Sequence, residues 1–232
     1  MTGERALSSA PLWLPHTATI DWCEPNYTHT PRVVEWWNTW SNLAYVAFGC
    51  HQLLARIPHN TRGTQLLALL LCAIGLSSGA FHGTLKLSAQ LADEIAMNLF
   101  ISLLNFMLYP IISPCIATLV FTAAHVYRPF TTAFQAQFLL QVAWTFRLLG
   151  KHRMPLRDLV GHFAPMAIGF SCWCSDYLAC TSLGYWGGHG WWHILTAFEG
   201  WQMIVFVREL HDRERRLQSL GKSTSAILLP FD

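Results

Sequence analysis

Long apolar runs separated by short polar breaks recur along almost the whole chain. A helix that crosses a bilayer needs ~20 apolar residues, within a range of ~17–25. Seven stretches meet that requirement, at about 36–55, 64–82, 93–109, 111–128, 130–149, 159–180 and 189–208. The links between them are short, so consecutive helices are expected to be antiparallel neighbours. The tightest link is Tyr109-Pro110, and Pro114 falls in the first turn of the next helix, where proline is tolerated. The pattern predicts an all-α membrane protein, a seven-transmembrane helix bundle. It divides the chain into an extramembrane N-terminal segment (1–35), the bundle (36–208) and a basic tail (209–232). The broken apolar run before Thr17, interrupted by Pro11 and Pro15, is too weak for the core of a signal peptide.

Composition strengthens this reading. Of the 232 residues, 53% are hydrophobic and only 12% charged, against roughly 25% charged in soluble domains. The 11 Trp and 14 Phe cluster near the ends of apolar runs, where interfacial aromatics belong. A net charge of +2 gives no electrostatic footprint for nucleic acid, and nothing calls for an obligatory protein partner. The placement of the positive charges matters more. With the N-terminus outside or lumenal, the inner side holds Arg56, Arg62, Arg147, Lys151, Arg153, Arg157, Arg208, Arg213, Arg215, Arg216 and Lys222. The outer side keeps only Arg5, Arg32, Lys86 and Arg128. Positive residues favour the cytoplasmic side, so the C-terminus is expected to be cytoplasmic, which also demands an odd number of spans.

That orientation brings the polar residues of three spans to one depth, near the outer face. Ser78 and His82 lie four residues apart at the end of the second span, and Asp93 opens the third. His189 and His193 lie four residues apart at the start of the seventh. Residues at i and i+4 share a helix face. Three imidazoles and one open position are what a catalytic zinc requires, and ionisable groups inside a membrane tend to be functional. A haem with two axial histidines is the competing use of such residues. His51, His125 and His162 read instead as hydrogen-bonding partners within their helices. Asp93 is a candidate proton shuttle or a helix N-cap. Ser78 is a candidate donor to a developing oxyanion or a small residue that lets helices approach closely.

The chain resembles the alkaline ceramidases, within the superfamily that includes the adiponectin receptors. The likeness rests on Asp21-Trp-Cys-Glu-Pro-Asn-Tyr27 continuing to Glu35 and Asn38-Thr-Trp-Ser-Asn42, on Ser78-x-x-x-His82 with Asp93, and on His189-Gly-Trp-Trp-His193. The resemblance implies a seven-helix intramembrane hydrolase. It would cleave the amide bond of ceramide, a lipid drawn from the bilayer, into a sphingoid base and a free fatty acid. It implies zinc on His82, His189 and His193, Ser78 steadying the oxyanion, and Asp93 moving the proton. It also implies calcium held by Asp21, Trp22 through its carbonyl, Glu24, Asn26 and Glu35; carboxylate and amide oxygens suit that hard cation. Finally, it implies a disulfide between Cys23 and Cys180, both on the outer side.

The expected location is the endoplasmic reticulum or Golgi membrane in a eukaryote, or the plasma membrane in a bacterium. The link from Cys180 to His189 is shorter and more glycine-rich than the family pattern. Asp176 reads as a second polar anchor near the site or, in preference, as an acid at a helix end. A receptor-like protein and a phospholipid ester hydrolase of the same superfamily are the alternative functions.

Overall fold

The computed structural model describes residues 10–55, 61–108, 139, 142, 143, 146, 147 and 156–219. Among the described residues there are six α-helices and no strand. They are α1 (Trp36–Ser41), α2 (Leu43–Leu54), α3 (Arg62–Thr84), α4 (Leu87–Leu108), α5 (Leu156–Leu183) and α6 (Gly188–Ser219). The spans expected at 111–128 and 130–149 lie outside the described residues, apart from the five isolated positions between 139 and 147, which are helical.

The first expected span is interrupted at Asn42. The Asn42 side-chain amide donates to the Asn38 carbonyl at 2.7 Å, and the Ser41 hydroxyl donates to the same oxygen at 3.1 Å. Side chains that compete for a backbone acceptor loosen a helix at that point. Tyr45 N–H then donates to the Asn42 carbonyl at 3.1 Å, a tighter i→i+3 bond that starts α2. The backbone of α3 passes very close to this break. A Cβ added at Gly75 would lie 2.8 Å from the Asn42 carbonyl oxygen and 2.9 Å from Tyr45 Cβ, so only glycine fits.

Helix α3 begins with a reciprocal cap in which Thr61 and Thr64 satisfy each other's backbone N–H groups. It ends at Leu85, which adopts the left-handed conformation. The turn into α4 is therefore tight, and α3 and α4 form an antiparallel hairpin. Helix α4 starts at Leu87 rather than near 93, so Asp93 lies in its second turn and is not its N-cap. Helix α6 packs against α1, α2, α3 and α5, and it continues past 208 to Ser219 without a break.

Buried Leu67, Leu71, Leu104, Met203, Ile204 and Val207 join α3, α4 and α6 in one core. The outside is apolar as well: Leu54 is 82% exposed, Leu76 67% and Leu178 73%. Polar side chains such as Asn38, Gln52, Gln90, Glu94 and Asn98 are buried. Polar groups inside and leucines outside reverse the usual arrangement in water. Helices α3 and α4 are each long and apolar enough to cross a membrane.

The N-terminal segment is fastened across one end of these helices. Thr17 and Ala18 donate to the Leu85 carbonyl, Val34 to Gly83 and Glu35 to His82. Cys23 and Cys180 are joined by a disulfide with an S–S distance of 2.08 Å. This cross-link ties the segment to the end of α5.

Candidate metal centre and active site

His82 comes from the last turn of α3, and His189 and His193 from the first two turns of α6. All three are buried, and one nitrogen of each lies within 4.8 Å of the others. His82 Nε2 and His189 Nε2 are 3.3 Å apart. Ring centroids are separated by 4.8 Å between His82 and His193 and by 4.5 Å between His189 and His193.

Each ring is oriented by its surroundings. His82 Nδ1 meets Glu35 Oε2 at 2.5 Å. His193 Nδ1 is 2.8 Å from the Ser41 hydroxyl and 3.3 Å from the Asn42 amide. His189 stacks on the Trp22 indole with centroids 3.6 Å apart. For His82 and His193 this leaves Nε2 as the nitrogen free to serve a central ion, an arrangement typical of metal-binding histidines. Three imidazoles crowded into a buried space are a donor set that fits zinc.

Ser78 and His82 share the inward face of α3, and Asp93 faces them from α4. Ser78 and Asp93 are both buried, and Asp93 Oδ1 has no hydrogen-bond partner. The three histidines, Ser78 and Asp93 line one cavity. The rest of its wall is mainly apolar, with Met97, Phe170, Trp173 and Trp192 among the lining residues. This arrangement has what amide cleavage requires: a metal-binding corner, a hydroxyl donor, a carboxyl group with an unused oxygen, and an apolar wall.

The acids expected at a calcium site fall beside this centre. Glu35 is fully buried. It accepts from Trp22 N–H at 3.0 Å and from the Asn38 amide at 3.2 Å, besides meeting His82. Burial pushes its carboxyl group up to about 8, and the neighbouring Asp21 adds to the effect. Glu24 accepts from Trp37 N–H at 2.6 Å and Asn38 N–H at 2.8 Å, satisfying the free donors at the start of α1. Burial also raises the Glu24 carboxyl, with Glu35 contributing. Asn26 donates to both Asp21 oxygens, at 3.3 and 3.1 Å, while its own Oδ1 is buried without a partner. Adjacent carboxylates and an unused amide oxygen form a donor set that fits Ca²⁺.

Asp176 corrects the preferred expectation for it. It is 2% exposed and anchors two segments. Its carboxylate accepts from Cys23 N–H at 3.2 Å and from His189 N–H at 3.3 Å, so it joins the N-terminal segment to the first turn of α6. Ser41 and Asn42, which carried no assigned role in the sequence, orient His193. Their visible signal was polar residues at 38, 41 and 42 in an otherwise apolar stretch, spaced to share one helix face.

Residues 14–224 match a family model described as Ceramidase. The chain is 24% identical over 249 aligned positions to the alkaline ceramidase of Drosophila melanogaster, covering 94% of this chain and 88% of that one. It is 23% identical over 223 positions to the alkaline ceramidase of Arabidopsis thaliana, covering 88% of each chain. A shorter match to alkaline ceramidase 3 of Mus musculus is 41% identical over 86 residues, covering 37% of this chain and 32% of that one. With the family model spanning nearly its full length, the chain belongs to the ceramidase family.

Proposed function

We propose that this protein is a zinc-dependent intramembrane amidase that hydrolyses ceramide to a sphingoid base and a free fatty acid. The observation that carries the reading is the convergence of His82, His189 and His193 within 4.8 Å, in a largely apolar cavity shared with Ser78 and Asp93. Bound by those histidines, zinc would polarise the amide carbonyl and make a water molecule more acidic. Ser78 donates a hydrogen bond to the carbonyl oxygen as negative charge develops there. Asp93 accepts a proton from the attacking water and returns it to the leaving nitrogen. Water thus supplies the new oxygen on the acyl carbon, the C–N bond breaks, and the amine leaves with the proton Asp93 carried. Glu35, Ser41 and Asn42 keep the imidazoles aimed during these steps.

Calcium would be held by Asp21, the Trp22 carbonyl, Glu24, Asn26 and Glu35. The unpartnered Asn26 Oδ1 and the adjacent acids Asp21 and Glu35 support this. Glu35 also meets His82, so calcium would stiffen one wall of the zinc site. The membrane-spanning part is read as seven helices with the N-terminus outside or lumenal and the C-terminus cytoplasmic. The proposed location is the endoplasmic reticulum or Golgi membrane in a eukaryote and the plasma membrane in a bacterium.

The deciding experiment uses one purified sample for both metal analysis and ceramide hydrolysis. The proposal predicts one zinc per chain and release of fatty acid. Zinc without release from any lipid would favour a receptor-like protein. Release from glycerophospholipid esters but not from ceramide would favour an ester hydrolase, and a haem absorption band would overturn the zinc assignment.

A further inference from the structure

A second, mainly apolar cavity adjoins the metal-site cavity, and Tyr45, Ile74, Met97, Met166 and Trp192 line both. It carries three conspicuous polar groups. Two of them satisfy each other: the Tyr45 hydroxyl donates to Thr196 Oγ1 at 2.5 Å, and Thr196 donates onward to the Trp192 carbonyl at 2.6 Å. The third is Glu199. Its side chain is 7% exposed, and its Oε2 is buried with no hydrogen-bond partner. Desolvating a polar group without giving it a partner is costly. An ionisable residue inside a membrane protein marks a candidate functional position.

We infer that Glu199 recognises a hydroxyl group carried on the hydrocarbon chain of the lipid substrate, and so selects hydroxylated chains. The inference rests on the reading of the first cavity as a lipid amidase site and adds a specificity determinant to it. A hydroxyl both donates and accepts, so it pairs with the carboxyl group in either protonation state. Glu199 follows His193 by six positions on α6, about 9 Å along the axis. The shared cavity walls lead a chain from the reacting carbonyl toward Glu199, and because an extended hydrocarbon advances slightly less per carbon than a helix does per residue (about 1.5 Å), that axial distance takes roughly seven or eight carbons. A plain chain filling the same cavity leaves the carboxyl group unpaired. Sites built to pair with a substrate hydroxyl discriminate against the analogue that lacks it for this reason.

The test measures binding and does not depend on turnover. The purified full chain in detergent is titrated with octadecanoic acid and with an octadecanoic acid bearing a hydroxyl about eight carbons from its carboxyl group. The wild type is expected to bind the hydroxylated acid about tenfold more tightly, equivalent to ~1.4 kcal/mol. Glu199→Gln keeps the shape and the hydrogen-bonding capacity and should retain part of that ratio. Glu199→Leu should bring the ratio close to one. Moving the hydroxyl next to the carboxyl group should also abolish the preference in the wild type. Equal binding of the two acids by the wild type, or the same ratio in Glu199→Leu, would overturn the inference. Ceramide hydrolysis is scored separately on the same preparation. A protein that keeps the binding ratio but never cleaves ceramide would refute the amidase reading and leave the role of Glu199 standing.

Discussion

Replacing Gly190 by alanine tests how the two halves of the metal site are held together. Gly190 lies in the first turn of α6, between His189 and the rest of the histidine-bearing face, and it abuts the Trp37 indole of α1. A Cβ at this position would overlap Trp37 Nε1 and Cδ1 and lie 2.8 Å from Cε2. Carbon atoms pack at ~3.5–4.0 Å, so α6 must retreat from α1 by about 1 Å or the indole must turn. The indole is restrained, because its Nε1 donates to the Gly187 carbonyl at 3.2 Å and its ring meets Trp191 edge-on. Retreat of α6 carries His189 and His193 with it. His82 stays behind, fixed by Glu35 and by the N-terminal segment. Overpacking of this kind costs ~1–3 kcal/mol, or a fall in Tm of about 2–12 °C for a chain of this size. A displacement of about 1 Å at a reacting centre lowers turnover on the order of 10²-fold. The assays are thermal unfolding, zinc content and ceramide hydrolysis on wild type, Gly190→Ala, Trp37→Ala and the double variant. Removing the indole restores the space, so the double variant should be better than the sum of the single effects. A Gly190→Ala protein with full zinc and undiminished turnover would refute the reasoning.

Four further outcomes follow from the same geometry. Asp93→Ala should reduce ceramide turnover by ~10²–10⁴-fold while metal analysis still finds the zinc in place. Ser41→Ala removes a partner of His193 Nδ1 and should weaken zinc affinity by ~10–100-fold, read by competition with a chelator, without loss of helical content. Cys23→Ser opens a cross-link between positions 157 residues apart, and unfolding measurements should show a loss of ~2–5 kcal/mol. Selective removal of calcium should lower Tm and turnover together, and recovery on adding Ca²⁺ back would tie both losses to that ion; an unchanged Tm would count against the Asp21–Glu35 site.

The grouping of Ser78, His82, His189 and His193 could be read from the chain because helix geometry projects fixed spacings onto one face. Ser78 with His82, and His189 with His193, are i, i+4 pairs, and each pair shares a face in the structure. The convergence of α3 with α6 was legible less directly, through charge bias that assigned both helix ends to one side. Helix limits were harder to read, because hydropathy senses lipid contact and not helical backbone. Helix α4 begins six residues before Asp93, over a polar turn stitched by Gln90 to Thr19 and Glu94. Helix α6 runs on to Ser219 through charged residues that are good helix formers, with Leu210 still buried. The roles of Glu35, Asn42 and Asp176 depend on partners 47, 151 and 153 positions away. No local pattern encodes such distances, which is why Asp176 looked like a helix-end acid and proved to be a tie between segments.

The central claim is that His82, His189 and His193 hold one zinc ion. X-ray absorption at the zinc edge of the purified protein tests it most directly, with the three single His→Ala variants alongside. The account predicts stoichiometric zinc in a shell dominated by imidazole nitrogen, lost or sharply weakened in each variant. Absence of stoichiometric zinc, a sulfur-rich shell, or zinc retained undisturbed in all three variants would contradict it.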